Sequence, residues 1–179
     1  ENPESIFGLP GTAATFRADD DRFPDVVGSV SVRAGKARYW AAALVRNIRI
    51  DSGAGPAAVE NKWGGSLAVS GVIPTFGQDD FRFFVYGGNS IGRYQPLGFF
   101  VDGVVNASGD LSLPTVVGGY AAYRHFWTST IRSSVALSAA RANNPSGTFG
   151  GLNRSDRSAH VNLIWSPVPA VDLGVEYIH

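Results

Sequence analysis

From Pro24 onward, apolar and polar residues alternate with period two through eight short segments divided by Gly-, Pro- and Asp-bearing connections. That period sends successive side chains to opposite faces of a strand. The segment cores cover residues 25–33, 38–50, 63–73, 81–88, 118–127, 131–141, 158–166 and 171–178. Each is about long enough to cross a bilayer as a tilted strand of ~9–11 residues. In the third, Trp63, Leu67, Val69, Gly71 and Ile73 share one face and Ser66, Ala68 and Ser70 the other. In the sixth, Ile131, Val135, Leu137 and Ala139 oppose Arg132, Ser134, Ala136 and Ser138. The eighth sets Val171, Leu173, Val175 and Tyr177 against Asp172, Gly174 and Glu176.

A soluble β-sandwich also alternates, with its apolar face turned to a core. Two features favour lipid as the cover instead. Connections alternate short and long, at 34–37, 51–62, 74–80, 89–117, 128–130, 142–157 and 167–170. Tight turns on one rim and long loops on the other mark outer-membrane barrels. Trp40, Phe81, Trp127 and Trp165 stand beside short turns and Trp63 at the opposite strand end, as two interfacial girdles require. Pro24, Pro74 and Pro167 stand at strand edges and turns, where no ladder hydrogen bond is lost.

The second segment resists this scheme. Trp40, Leu44, Ile48 and Ile50 form its apolar set, Arg46 falls among them, and Arg49 falls on the other set. Strict alternation therefore turns one arginine toward lipid. A bulge, a rim position, or an interface that covers Arg46 with a partner carboxylate would each resolve the conflict. Residues 1–23 carry Gly8-Leu9-Pro10-Gly11 and Asp19-Asp20-Asp21 and read as an irregular outer loop or the end of an upstream strand, with barrel strands over 24–179. The long connection after the fourth segment is apolar inside, with Leu97, Phe99, Phe100, Val101, Val104 and Val105. It is expected to pack as a lumen plug, a subunit contact or a partner site.

Composition narrows the chemistry. Formal net charge is zero, which is unlike a nucleic-acid-binding domain. Only Lys36 and Lys62 are lysine, the other side-chain cations being arginines, whose planar fork suits carboxylates and phosphates. Cysteine is absent, which excludes disulfides, cysteine zinc ligands and a cysteine nucleophile. His125, His160 and His179 lack zinc or nucleophile-elbow spacing, and Asp156, Ser158 and His160 read as rim or lumen groups rather than a triad. No enzyme activity and no cofactor is expected. The glycine pairs Gly87-Gly88 and Gly118-Gly119 lie at strand ends without a following helix, unlike a phosphate loop.

Local runs in order along the chain are Asp20-Asp21-Arg22-Phe23-Pro24-Asp25, Ala43-Leu44-Val45-Arg46-Asn47-Ile48-Arg49, and Gly92-Arg93-Tyr94. Gly118-Gly119-Tyr120-Ala121-Ala122-Tyr123-Arg124-His125-Phe126-Trp127 follows, with Ile131-Arg132-Ser133-Ser134 after it. Asn162-Leu163-Ile164-Trp165-Ser166-Pro167-Val168-Pro169 and Leu173-Gly174-Val175-Glu176-Tyr177-Ile178 complete the set. Together they resemble the DcaP-like family of trimeric bacterial outer-membrane porins. The resemblance implies a larger up-and-down transmembrane β-barrel, assembled as a homotrimer, passing small organic anions such as dicarboxylates. Relative to that family the chain shows no signal peptide, N-terminal coiled coil or first half of the barrel, and it ends at His179 rather than in an aromatic. It is therefore expected to be a C-terminal part lacking the last strand or strands, although a self-contained eight-stranded barrel also fits.

By alternation, Arg33, Arg82, Arg124, Arg132, Asp172 and Glu176 face a polar lumen, with Arg49 near the outer rim and Arg93 and Tyr94 opening the long loop. Separated positive and negative walls would orient dipolar solutes, and an arginine excess would favour anions. The same arginines could instead pair with Asp172, Glu176 and other acids in a static network. Two alternatives stand beside the porin: a small closed barrel with a structural or adhesive role, and a soluble β-sandwich binding module.

Overall fold

The computed structural model describes residues 6–7, 23–51, 59–95, 99–105, 110–146 and 151–179. Its strands in chain order are β1 (Ile6–Phe7), β2 (Val26–Ala34), β3 (Ala37–Asp51), β4 (Val59–Pro74), β5 (Asp80–Asn89), β6 (Gly103–Val105), β7 (Leu111–Ser112), β8 (Thr115–Phe126), β9 (Ile131–Asn143), β10 (Ser155–Val168) and β11 (Val171–Ile178). A 3-10 turn covers Gly92–Tyr94. No helix among the described residues is long and apolar enough to cross a membrane, a fact that has no bearing on strands.

All eight alternating segments are strands of one antiparallel sheet, in the order β11-β10-β9-β8-β5-β4-β3-β2. Each strand of this sheet pairs with the next one along the chain, β6 and β7 standing apart; the short connections leave little choice but a hairpin, and the long ones return to the adjacent strand as well. The sheet is open, with β2 and β11 at its edges. Gly35 supplies the left-handed φ of 60° in the two-residue turn from β2 to β3. Where β10 and β11 meet, the register shifts between Trp165 and Val168, so Pro167 falls in a bulge and interrupts no ladder bond.

Register assigns the two faces. Val27, Leu44, Ser66, Gly88, Val116 and Ala142 lie in one row across β2, β3, β4, β5, β8 and β9. Their face carries Ser70, Arg82, Arg124, Arg132, Ser138, His160 and Glu176, and we call it the polar face. The other bears Val30, Val45, Leu67, Val69, Val85, Val117, Leu137, Val161, Leu163, Leu173 and Val175, all exposed. Leu67 is 67% and Val175 72% exposed, so nothing in the described chain covers this apolar face. Among the described residues no second sheet stacks against it.

The connection between β5 and β8 lies across the polar face. Its strands β6 and β7 form a small sheet with β1, which pairs in parallel with β6. Val105 and Leu111 pack there on Ile48 and Ile50 of β3. Ile91 and Phe100 pack on Leu44, Val116 and Ala142. The packing expected of this connection is observed against the chain's own sheet at Phe100, Val101, Val104 and Val105, while Phe99 is exposed and Leu97 lies outside the described residues. Residues 6–7 pair as a strand, and the rest of 1–22 also lies outside them.

The second segment corrects the sequence reading. Trp40, Leu44, Arg46, Ile48 and Ile50 point to the polar face, not outward, and β3 pairs with β4 from Arg38 to Asp51 without a bulge. Leu44, Ile48 and Ile50 are apolar because the long connection covers them, and Arg46 is among them because Asp102 of that connection and Asp25 just ahead of β2 bring it carboxylates. Trp40 accordingly sits opposite Ser31 and Ser70 and is no part of an outer girdle. Trp63, ringed against Phe23 at 5.4 Å, marks the long-connection rim of the apolar face, and Trp127 and Trp165 mark the other.

Candidate functional site

The polar face and the connection seated on it make the most chemically organised surface of the molecule. At its centre Arg46 is fully buried. Its Nε donates to Asp25 Oδ1 at 2.9 Å, and its Nη1 to Asp102 Oδ1 and the Ser90 carbonyl, both at 2.7 Å. Ser90 holds a left-handed φ of 57°. Gly64 makes room beneath it, since a Cβ there would fall 2.0 Å from Ser90 Oγ. The second carboxylate oxygen of Asp25 accepts Arg93 Nη1 at 3.1 Å and the Tyr94 hydroxyl at 2.5 Å. Two arginines and two aspartates from β3, the rim before β2 and the long connection thus form one knot, satisfying a charge that burial alone would make very costly.

Burial acts to raise the Asp25 pKa, but hydrogen bonds from Tyr94 and Arg46, the Arg46 charge and the Arg93 hydrogen bond outweigh it and hold the carboxyl below its ordinary range. Burial, with the hydrogen bond to Asp25, pushes the Tyr94 phenol up. Next to the knot a cleft of about 250 Å³ runs between sheet and connection, lined by Val27, Leu44, Phe84, Tyr86, Ile91 and Tyr94 among others.

Toward the short-turn rim the polar face becomes a row of ion pairs. Asp80 receives Arg82 Nε at 2.7 Å and also Arg124 Nη2. Arg132 donates to Asp172 and to Ser166 Oγ, each at 2.6 Å, and Ser166 Oγ donates to Asp172 at 2.6 Å. Arg33 and Arg38 stand opposite one another across β2 and β3, without an ion-pair partner among the described residues. Asp80 therefore serves two cations, and the β2–β3 end of the row carries cations only. On the rim itself, the Phe126 N–H and His125 hold the Asp79 carboxyl below its usual range against some burial, helped by Tyr123.

Of the residues expected to line a lumen, Arg33, Arg82, Arg124, Arg132, Asp172 and Glu176 share the polar face, and Arg93 and Tyr94 reach it through the connection. Arg49 is not brought to them; paired with Asn61, it lies on the opposite face near the long-connection rim. The expected static pairing is present for Arg82, Arg124 and Arg132. Glu176 lies 3.5 Å from His160. Sequence reasoning missed Asp25, Asp80 and Asp102 as partners. Asp102 carried one signal, a lone acid inside the apolar run from Phe99 to Val105.

His160 Nε2 lies 3.1 Å from Ser158 Oγ, so Ser158, His160 and Glu176 form a chain on adjacent strands. Ser158 Oγ also bonds Ser138 Oγ at 2.7 Å. β10 is laddered on β9 from Ser155 to Trp165 and on β11 from His160 to Val168. No family model, curated protein or solved structure matches this chain.

Proposed function

We propose that the chain is part of a bacterial outer-membrane porin, a transmembrane β-barrel of the trimeric kind its sequence resembles, passing small anionic solutes such as dicarboxylates along its polar face. One observation carries the reading: the sheet has one continuous exposed apolar face, and its charged residues lie on the other face, the one that receives the long connection. In water the reverse arrangement is the stable one. Lipid makes it favourable, because hydrocarbon covers Val and Leu at no cost while the ladder satisfies the backbone. The connection on the polar face would then narrow the lumen from within.

Anion preference follows from the short-turn half of that face, where Asp80 is shared by Arg82 and Arg124, and Arg33 and Arg38 have no ion-pair partner among the described residues. Such a surplus in a low-dielectric pore raises the local concentration of anions. The decisive experiment reconstitutes the protein in a planar bilayer and measures conductance and reversal potential in a salt gradient. A reversal potential of anion-selective sign is expected. Cation selectivity would overturn the anion assignment, and a folded, inserted protein without conductance would favour the closed structural barrel.

A further inference from the structure

Besides Arg33 and Arg38, three arginines at the other rim stand apart from the pattern of pairing described above. Arg141, Arg154 and Arg157 are exposed, and none has an ion-pair partner among the described residues. Arg141 and Arg157 project from the apolar face of β9 and β10, where Arg141 opposes Ser155 and Arg157 opposes Ala139. That diagonal separates them by about 7–8 Å. Asp156, the acid nearest in sequence, opposes Ala140 and so belongs to the other face.

Arg141 and Arg154 line a cleft of about 530 Å³ together with Thr115, Val117, Ala142, Asn143 and Asn144, at the rim where the Ala142 N–H donates to the Arg154 carbonyl. Thr115, Val117, Arg141 and Asn143 lie on the apolar face by register. Among the described residues the cleft offers guanidinium, amide and hydroxyl donors and no carboxylate, with the apolar band of Val117, Leu137 and Val161 running away below it. Cations stranded on a lipid-facing surface are destabilising at the midplane, yet these sit at the strand ends, where the headgroups lie.

We propose that this cleft binds the phosphate of a membrane-lipid headgroup, its acyl chains lying on the apolar face beneath. The proposal rests on the barrel reading, since it requires that face to meet lipid. Two guanidiniums match a phosphomonoester dianion in charge and in paired N–H geometry. A free phosphate would find the same donors but gain nothing from the apolar band. The position of the cleft at the top of that band is what commits the site to a lipid.

The test is native mass spectrometry of detergent-purified protein titrated with phosphatidic acid, phosphatidylcholine or inorganic phosphate. Phosphatidic acid should be retained over phosphatidylcholine, and Arg141→Gln and Arg154→Gln should each weaken it about tenfold. Lys36→Gln, which removes a cation at the opposite rim, should leave retention unchanged. Folding of each variant is verified by circular dichroism, and the Gln substitutions are at exposed sites. Equal retention of both lipids, an equal loss in Lys36→Gln, or unaltered binding in the arginine variants would overturn the proposal. So would inorganic phosphate that binds as tightly as the lipid. If the protein inserts into liposomes and yet gives one of those results, the headgroup site alone falls; if it stays in buffer without detergent, both readings fall.

Discussion

Arg46 shows how one side chain can contradict a pattern and then explain it. By alternation it belongs with Leu44, Ile48 and Ile50, and by burial it does too, at 0% exposure. Its partner Asp102 is equally buried. Removing one member leaves the other charged and unsolvated, so Arg46→Met is expected to destabilise the fold by about 3–5 kcal/mol. Arg46→Met with Asp102→Leu should recover much of that in urea unfolding monitored by tryptophan fluorescence; a double variant no better than the single would refute the pairing. Asp25 adds a pH dependence. Its folded pKa lies below the unfolded one, so its contribution is complete above the unfolded value and is lost as pH falls through the folded value. Near-UV dichroism from Tyr94 should therefore change only below about pH 4, and Asp25→Asn should abolish that step.

Each long strand has two unlike faces, and that asymmetry makes the element testable. Leu137 lies mid-strand on the apolar face of β9 and Ser138 on the polar face. For a strand spanning lipid, Leu137→Arg should cost about 2–4 kcal/mol, whereas Ser138→Arg should cost far less. Equal costs measured by unfolding in vesicles would contradict the assignment of faces. The connection between β5 and β8 is a second kind of element, held by a few anchors. Phe100, 3% exposed, packs it on Leu44, Val116 and Ala142. Phe100→Ala should free it to protease at positions between 90 and 114 while the far-UV strand signal persists; cleavage unchanged from wild type would show that the anchor lies elsewhere.

At the scale of the whole molecule, the question is how an open sheet of eight strands disposes of its edges. β2 and β11 present unpaired backbone, which must be paired wherever it meets lipid. A barrel of about eight strands encloses just enough space for its own side chains. The polar face also holds β6, β7 and a cleft of about 250 Å³, so the proposed barrel would need a wider ring in which β2 and β11 pair with other strands. The absence of cysteine makes a clean test available. Ser31→Cys with Gly174→Cys should not cross-link under oxidation in the membrane, and efficient intramolecular cross-linking would favour a self-closed barrel.

The order of strands, their two faces and the alternation of short and long connections were determined by the sequence alone, because period two and turn chemistry are local properties of neighbouring residues. Leu67, Val135 and Val175 could be placed on a face without coordinates. The location of Leu44, Ile48 and Ile50 could not. An apolar residue under a folded-back connection reads the same as one under lipid, so only the tertiary structure turned that row inward. Asp102 was hidden for a related reason: it lies 56 residues from Arg46, and only the folded connection makes them neighbours, whereas Asp25 stands one step beyond the Val26–Val45 pair and reaches Arg46 through the hairpin register itself.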